Sequence, residues 1–218
     1  MILGIYGSGG LGREMLELAR IINNNNLRWE NIIFIDDADK DGSLINGAEV
    51  YKYDEALNKF KNLEITIGIG EPIIREKLFN KIKVDNIKAA ALIHPGVHIP
   101  ETTKIGEGAT ICMNDFISCN VVIGDNVYIQ PSANIGHDSV LDEGAFISAF
   151  CNIAGAVHVG KYTYIGMSAA VKELINIGSY SIIGMYSAVY KDIPDEVVAV
   201  GNPARPMKRN EEHRVFKH

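Results

Sequence analysis

His137 stands directly before Asp138. An imidazole beside a carboxylate is oriented and made more basic by it. A neutral imidazole near pH 7 is a suitable general base. The plainer alternative is that both are solvated surface residues. The remaining histidines are weaker candidates: His158 could line a cleft, His94 and His98 fall where two parts of the chain join, and His213 and His218 lie in the tail. A zinc site needs about three converging imidazoles, and the spacing here offers no such set, so no metal is expected. Cys112, Cys119 and Cys151 make an odd count with no CxxC pair. They read as free thiols in a reducing compartment.

A second stretch that could do chemistry is Gly7-Ser8-Gly9-Gly10-Leu11-Gly12. It follows an apolar run, Ile2 to Tyr6, and precedes a segment with Met15, Leu16, Ala19 and Ile22 at helical spacing. Backbone N–H groups at such a helix start can hold a phosphate. A ribose or base contact is expected from an acid roughly 20 residues beyond the last glycine, and Asp36 stands near that place. Three readings stay open: a dinucleotide, a nucleoside diphosphate, or glycines that merely let a helix pack on a sheet. The unit is only about 90 residues long, too short for the second half of a full dinucleotide fold, which favours the diphosphate.

The element that positions His137 is a repeat. From Ile93 to Val189, every sixth residue is Ile, Leu or Val, 17 positions without an insertion. A fixed six-residue aliphatic period indicates a parallel β-helix. Three such periods make one coil, and between five and six coils make a prism about 27 Å long at ~4.8 Å per strand. The aliphatic and the residue four later, mostly small or β-branched, share the inner face. Cys151 therefore points in. His137, two after Ile135, points out, and so do Asp138 and His158. Asp115 is the exception, a charge in an inner slot, read as a local turn cap. Glycine often follows the aliphatic, as at Gly106, Gly124, Gly136 and Gly160, and the expected reason is a tight corner with unusual backbone angles.

Ahead of the repeat, strands are expected at 2–6, 31–37 and 65–70 and helices at 13–23 and 72–83. This alternation indicates a small parallel α/β unit. The expected organisation is an α/β unit over residues 1–90, a β-helix over 91–193 and a C-terminal segment over 194–218, with the front unit covering one end of the prism and the C-terminal segment the other. Net charge is −6 with no Lys/Arg block, which argues against a nucleic-acid surface. The start lacks a signal-peptide pattern and no run of about 18 apolar residues occurs. A cytoplasmic protein with no membrane partner is expected.

Together these stretches resemble a known family. The hexapeptide array, the Gly7–Gly12 loop with Asp36-Asp37, Ile135-Gly136-His137-Asp138, Ile153 to Gly160, and the ending Val200-Gly201-Asn202-Pro203-Ala204-Arg205 look like the sialic-acid O-acetyltransferase and nucleotide-aminosugar N-acetyltransferase group. The resemblance implies a Rossmann-like N-terminal subdomain followed by a left-handed parallel β-helix, assembled as a homotrimer with active sites between subunits. It implies acetyl-CoA as co-substrate and a nucleotide sugar as acceptor. By position, His137 would be the base and Asp138 its orienting acid. The Gly155 N–H would hold the thioester oxygen. Met167, Met185, Asn202, Pro203 and Arg205 would line the acetyl-CoA groove. Gly7, Ser8, Gly9, Gly10, Asp36, Asp37 and Gly68 would surround the nucleotide, and Gln130 would face the sugar. Where some relatives carry a second histidine near the acetyl group, this chain has Phe146. O-acetylation of a sugar is the alternative within enzymes, and a metal-binding or scaffold β-helix the alternative outside them.

Overall fold

A computed structural model describes residues 1–38 and 42–216; His218 lies outside the described residues. The front unit runs β1 (Ile2–Tyr6), α1 (Gly10–Asn25), β2 (Asn31–Ile35), β3 (Leu44–Ile45), β4 (Ala48–Tyr51), α2 (Tyr53–Lys59), β5 (Leu63–Ile67), α3 (Pro72–Val84) and β6 (Lys88–Ala89). The sheet order is β3-β4-β2-β1-β5-β6, parallel except for the β3–β4 pair. The second and third strands end earlier than the expected bounds, at Ile35 and Ile67. Asp36, Asp37 and Gly68 are thereby placed in the loops at the carboxyl edge. β3, β4, α2 and β6 are too short to show a period in sequence. The side chains of α1 (Met15, Leu16, Ala19) pack with Leu3 and Ile5 on one face, and Phe79 and Ile82 of α3 pack with Ile65 and Ile67 on the other.

The repeat forms short strands that pair in parallel with the equivalent strand of the next coil, Ile117 with Ile135 and Ile135 with Ile153. Its three sheets enclose one apolar column running from Ala109 to Ala199, with Cys151 inside it. At the far end Val197–Gly201 pairs with Ile182–Ile183 and turns into an antiparallel strand, Ala204–Arg209.

The corner chemistry differs from the sequence expectation. From Ile105 to Ile183, left-handed φ values fall on the third residue after each aliphatic, as at Asn120 (58°), Asp138 (59°) and Ala156 (55°). The glycines directly after the aliphatics are needed for another reason: a Cβ on Gly136 would stand 2.5 Å from the Ala154 carbonyl carbon, and one on Gly160 2.6 Å from the Ser179 nitrogen. They give clearance to the next coil. Asp115 behaves as anticipated and accepts the N–H groups of Cys112 (3.0 Å) and Ala133 (2.8 Å). Burial pushes its carboxyl up to about 8 despite those two bonds.

The front unit does more than cover the head of the prism. It also lies along one side face, where Tyr128 and Phe146 are buried in the same cluster as Leu3, Ile5 and Met15. Buried Arg75 of α3 rivets the two parts. Its guanidinium donates to the Ile67 and Ile69 carbonyls (2.9 and 3.2 Å) and to the Asn126 carbonyl and side chain (2.6 and 2.7 Å). Burial pulls its pKa down to about 10.

Candidate active site

His137 and Gly155 hold the same position in successive coils and therefore stack on one edge of the prism. His137 Nδ1 lies 2.7 Å from Asp138 Oδ2. Asn120, one coil before Asp138 on the same edge, donates to Asp138 Oδ1 at 2.9 Å. The bond from His137, and then that from Asn120, hold the Asp138 carboxyl below the usual carboxylate range. With Nδ1 engaged by a carboxylate, the proton belongs on that nitrogen and Nε2 carries the lone pair. The His137 side chain is 62% exposed, which leaves Nε2 open to an incoming group. Beneath it, a Cβ on Gly155 would stand 2.6 Å from both Cε1 and Nε2, so only glycine lets the imidazole lie there. Among the described residues the Gly155 N–H meets no acceptor. A base and a spare backbone donor on adjacent coils can take a proton from a nucleophile and hold an oxyanion. Asn120 escaped the sequence reading, although its offset of one whole coil from Asp138 is the signal that finds it.

A second pair stands on a flat face. His158 Nε2 lies 2.8 Å from Asp142 Oδ2. The other histidines have local roles: His94 Nδ1 accepts the Gly96 N–H at 3.1 Å, and His213 stacks on Tyr180 with centroids 4.3 Å apart. The Cys112 and Cys151 thiols are buried, and burial pushes both up to about 12. Neither suits nucleophilic work.

One chain does not gather all the expected groove residues. Met167 and Met185 are exposed and stack one coil apart, but on a different edge from His137 and Gly155. Gln130 sits on that other edge too, its Oε1 accepting the Ala149 N–H at 3.3 Å. Asn202 and Pro203 form the exposed turn of the C-terminal hairpin, and Arg205 follows on its second strand. Phe146 presents nothing to the His137 edge. It is buried between Tyr128 and Tyr164, with ring centroids 5.0 and 5.1 Å away.

The glycine loop divides into two sets. Gly7 has φ of 107°, and a Cβ on Gly68 would stand 2.8 Å from the Gly12 Cα, so Gly7, Gly12 and Gly68 serve the turn and the packing of loop on loop. A Cβ on Gly9 or Gly10 would meet nothing within 4 Å. These two open the start of α1, whose first turn carries no acid. Asp36 holds the loop, accepting the Ser8 N–H (2.9 Å) and hydroxyl (2.7 Å). Asp37 binds Tyr6 and Tyr53 rather than the glycine loop, accepting the Tyr6 hydroxyl (2.6 Å) and the Tyr53 N–H (3.0 Å). Burial pushes its carboxyl up, but those two bonds and Lys81 outweigh this and hold it low.

Comparison with known proteins agrees with this architecture. Residues 3–82 match the PglD N-terminal domain, and residues 120–155 match the bacterial transferase hexapeptide of six repeats. Among solved structures, WeeI from Acinetobacter baumannii AYE is 30% identical with a TM-score of 0.88, over 95% of this chain and 100% of that one. The acetyltransferase domain of PglB from Neisseria gonorrhoeae FA1090, solved with acetyl coenzyme A, is 28% identical with a TM-score of 0.87, over 94% of this chain and 98% of that one. A GDP-perosamine N-acetyltransferase of Escherichia coli O157:H7 is 28% identical over 148 residues, and the match spans 65% of each chain, just under two thirds. A PglD-type front domain on a hexapeptide prism defines the class of hexapeptide transferases with an α/β front. This chain belongs to the hexapeptide-repeat acetyltransferase family. No described helix is long and apolar enough to cross a membrane.

Proposed function

We propose that the protein transfers the acetyl group of acetyl-CoA to the amino group of a nucleotide-linked amino sugar. The observation that carries the chemistry is the His137 imidazole, pinned through Nδ1 by Asp138 and laid over Gly155. Nε2 removes a proton from the amine as its nitrogen attacks the thioester carbon. The oxyanion of the tetrahedral intermediate is held by the Gly155 N–H, a donor worth roughly 3 kcal/mol of barrier. Collapse then expels the CoA thiolate and leaves the amide. Both substrates bind together, and no acetyl-enzyme forms. The PglB domain solved with acetyl coenzyme A and the GDP-perosamine N-acetyltransferase support the two substrate classes.

The separate edges carrying His137 and the Met167–Met185 pair support an assembly in which one copy's His137 edge faces another's methionine edge, with acetyl-CoA between them. A trimer of prisms makes three such grooves. Gly9 and Gly10 then receive the nucleotide's phosphates, and the cytoplasm, where acetyl-CoA and nucleotide sugars are made, is the compartment this reading requires.

The test is a thiol-release assay with acetyl-CoA and amino sugars linked to UDP, dTDP and GDP, alongside the hydroxyl sugar of each. Turnover of an amine acceptor that vanishes in His137→Ala is expected. Turnover only with hydroxyl acceptors, or undiminished turnover in His137→Ala, overturns the reading. Light scattering checks the trimer.

A further inference from the structure

Among the described residues, the cations nearest the glycine loop already have partners: Lys81 lies 3.6 Å over the Tyr53 ring, beside Asp37. Arg13 Nη1 is turned back on the Ser8 carbonyl at 3.3 Å, and the nearby acids Asp36 and Asp37 are negative. A diphosphate at the helix N–H groups would face those acids and a net charge of −6, which a further guanidinium would offset. Strand order reverses at β1, because β2 lies on one side of it and β5 on the other. In open α/β sheets ligands bind at the carboxyl ends of the strands at such a point. The two loops there are Gly7–Gly10 and Gly68–Glu71.

The C-terminal residues return to this crevice. They are fastened at three places. Asn210 donates to the Tyr180 carbonyl (2.8 Å) and its N–H donates to the Glu196 carbonyl (2.8 Å). His213 stacks on Tyr180. Buried Glu71 accepts the Val215 N–H at 2.8 Å on one carboxylate oxygen and the Phe216 N–H at 2.9 Å on the other. The Phe216 ring lies over Gly70, where a Cβ would stand 3.5 Å from it and 3.8 Å from Leu11 of the glycine loop. Arg214 is thus held between two anchors, and with Ile69, Gly70, Glu71, Ile74 and Phe216 it lines a cavity of about 310 Å³ beside the loop. Among the described residues Arg214 forms no ion pair. The carboxylate in that cavity, Glu71, is occupied by the two backbone amides.

We propose that Arg214 binds the diphosphate of the nucleotide sugar, the C-terminal strap carrying it to the crevice between the two loops. A guanidinium suits phosphate because it donates two parallel N–H bonds while staying charged. This inference rests on the front sheet being the nucleotide site.

Calorimetry on the full chain separates the two. Wild type and Arg214→Ala are titrated with GDP, UDP and dTDP, with the matching phosphate-free nucleosides, and with acetyl-CoA. The expected result is that Arg214→Ala weakens the preferred diphosphate about tenfold or more, the loss of a charge-assisted bond. Affinity for its nucleoside and for acetyl-CoA stays within twofold, and Arg214→Lys recovers part of the loss. Arg214 is exposed, so an unchanged Tm is expected and shows that the variant is folded. Diphosphate affinity within twofold of wild type overturns the proposal. So does a loss confined to acetyl-CoA, which would assign Arg214 to the phosphates of the co-substrate. If wild type binds none of the three diphosphates, the nucleotide reading of the front sheet falls and the proposal falls with it.

Discussion

The prism carries two histidine–carboxylate pairs with almost the same contact distance and opposite geometry. In His137–Asp138 the carboxylate takes Nδ1 at 2.7 Å, and the far nitrogen Nε2 is left over Gly155. In His158–Asp142 the carboxylate takes Nε2 at 2.8 Å, which leaves Nδ1, the nitrogen nearest the backbone. The first pair sits on an edge, over a glycine, with a second donor from Asn120 steadying the acid. The second lies on a flat face within a sheet whose outward row runs Val122, Val140, His158 and Asn176. A histidine beside an acid is therefore a weak signal in itself. What separates a base from a surface ion pair is which nitrogen the acid occupies and what lies under the ring.

Exchanging residues between the two pairs tests this, from the largest effect down. His137→Ala is expected to lower kcat by about 10²- to 10⁴-fold. His158→Ala should leave it within about threefold, the scale of a surface substitution. Equal losses in steady-state assays would erase the distinction. Gly155→Ala puts a methyl group where the imidazole lies. It should cost about 10²-fold in kcat, the scale of a misplaced catalytic group, while Tm shifts by only a few degrees. Near-normal turnover would show that His137 does not need that seat. Asp138→Asn keeps a side chain of the same shape but removes the charge that fixes the tautomer, and about a tenfold loss of kcat/KM is expected. Asn120→Ala removes one of the two bonds that hold the Asp138 carboxyl low. The acid then protonates at higher pH and is held less firmly against the imidazole, and about a threefold loss of kcat/KM is expected. Asp142→Asn should leave kcat/KM unchanged.

The repeat was legible because its period comes from the fold itself. Each coil needs an aliphatic at the same azimuth, and nothing else in the chain recurs at six. That register gave the direction of His137 and Cys151. The glycines were misread because their constraint comes from the neighbouring coil, a whole turn away in the chain, while the left-handed corners fall on Asn120, Asp138 and other non-glycine residues two positions later. The front unit was legible where helices and strands were long enough to show a period; the brief strands β3, β4 and β6 were not. The spacing singled out Asp36, which holds the glycine loop, while Asp37 is tied to Tyr6 and Tyr53 by contacts that no local pattern encodes. Met167 and Met185 fall on another edge of the prism than His137, a separation that the register already implied.

The uninterrupted coil also limits how such a gene can change length. Adding one residue anywhere between Ile93 and Val189 would shift every later side chain out of its slot, turning core outward and displacing the edges. A duplication of one whole coil would restore the phase and lengthen the prism by about 4.8 Å. Inside this array, insertions and deletions are therefore quantised. The step from His137 to Gly155 is one quantum, the smallest that brings two residues of the ladder back to the same edge.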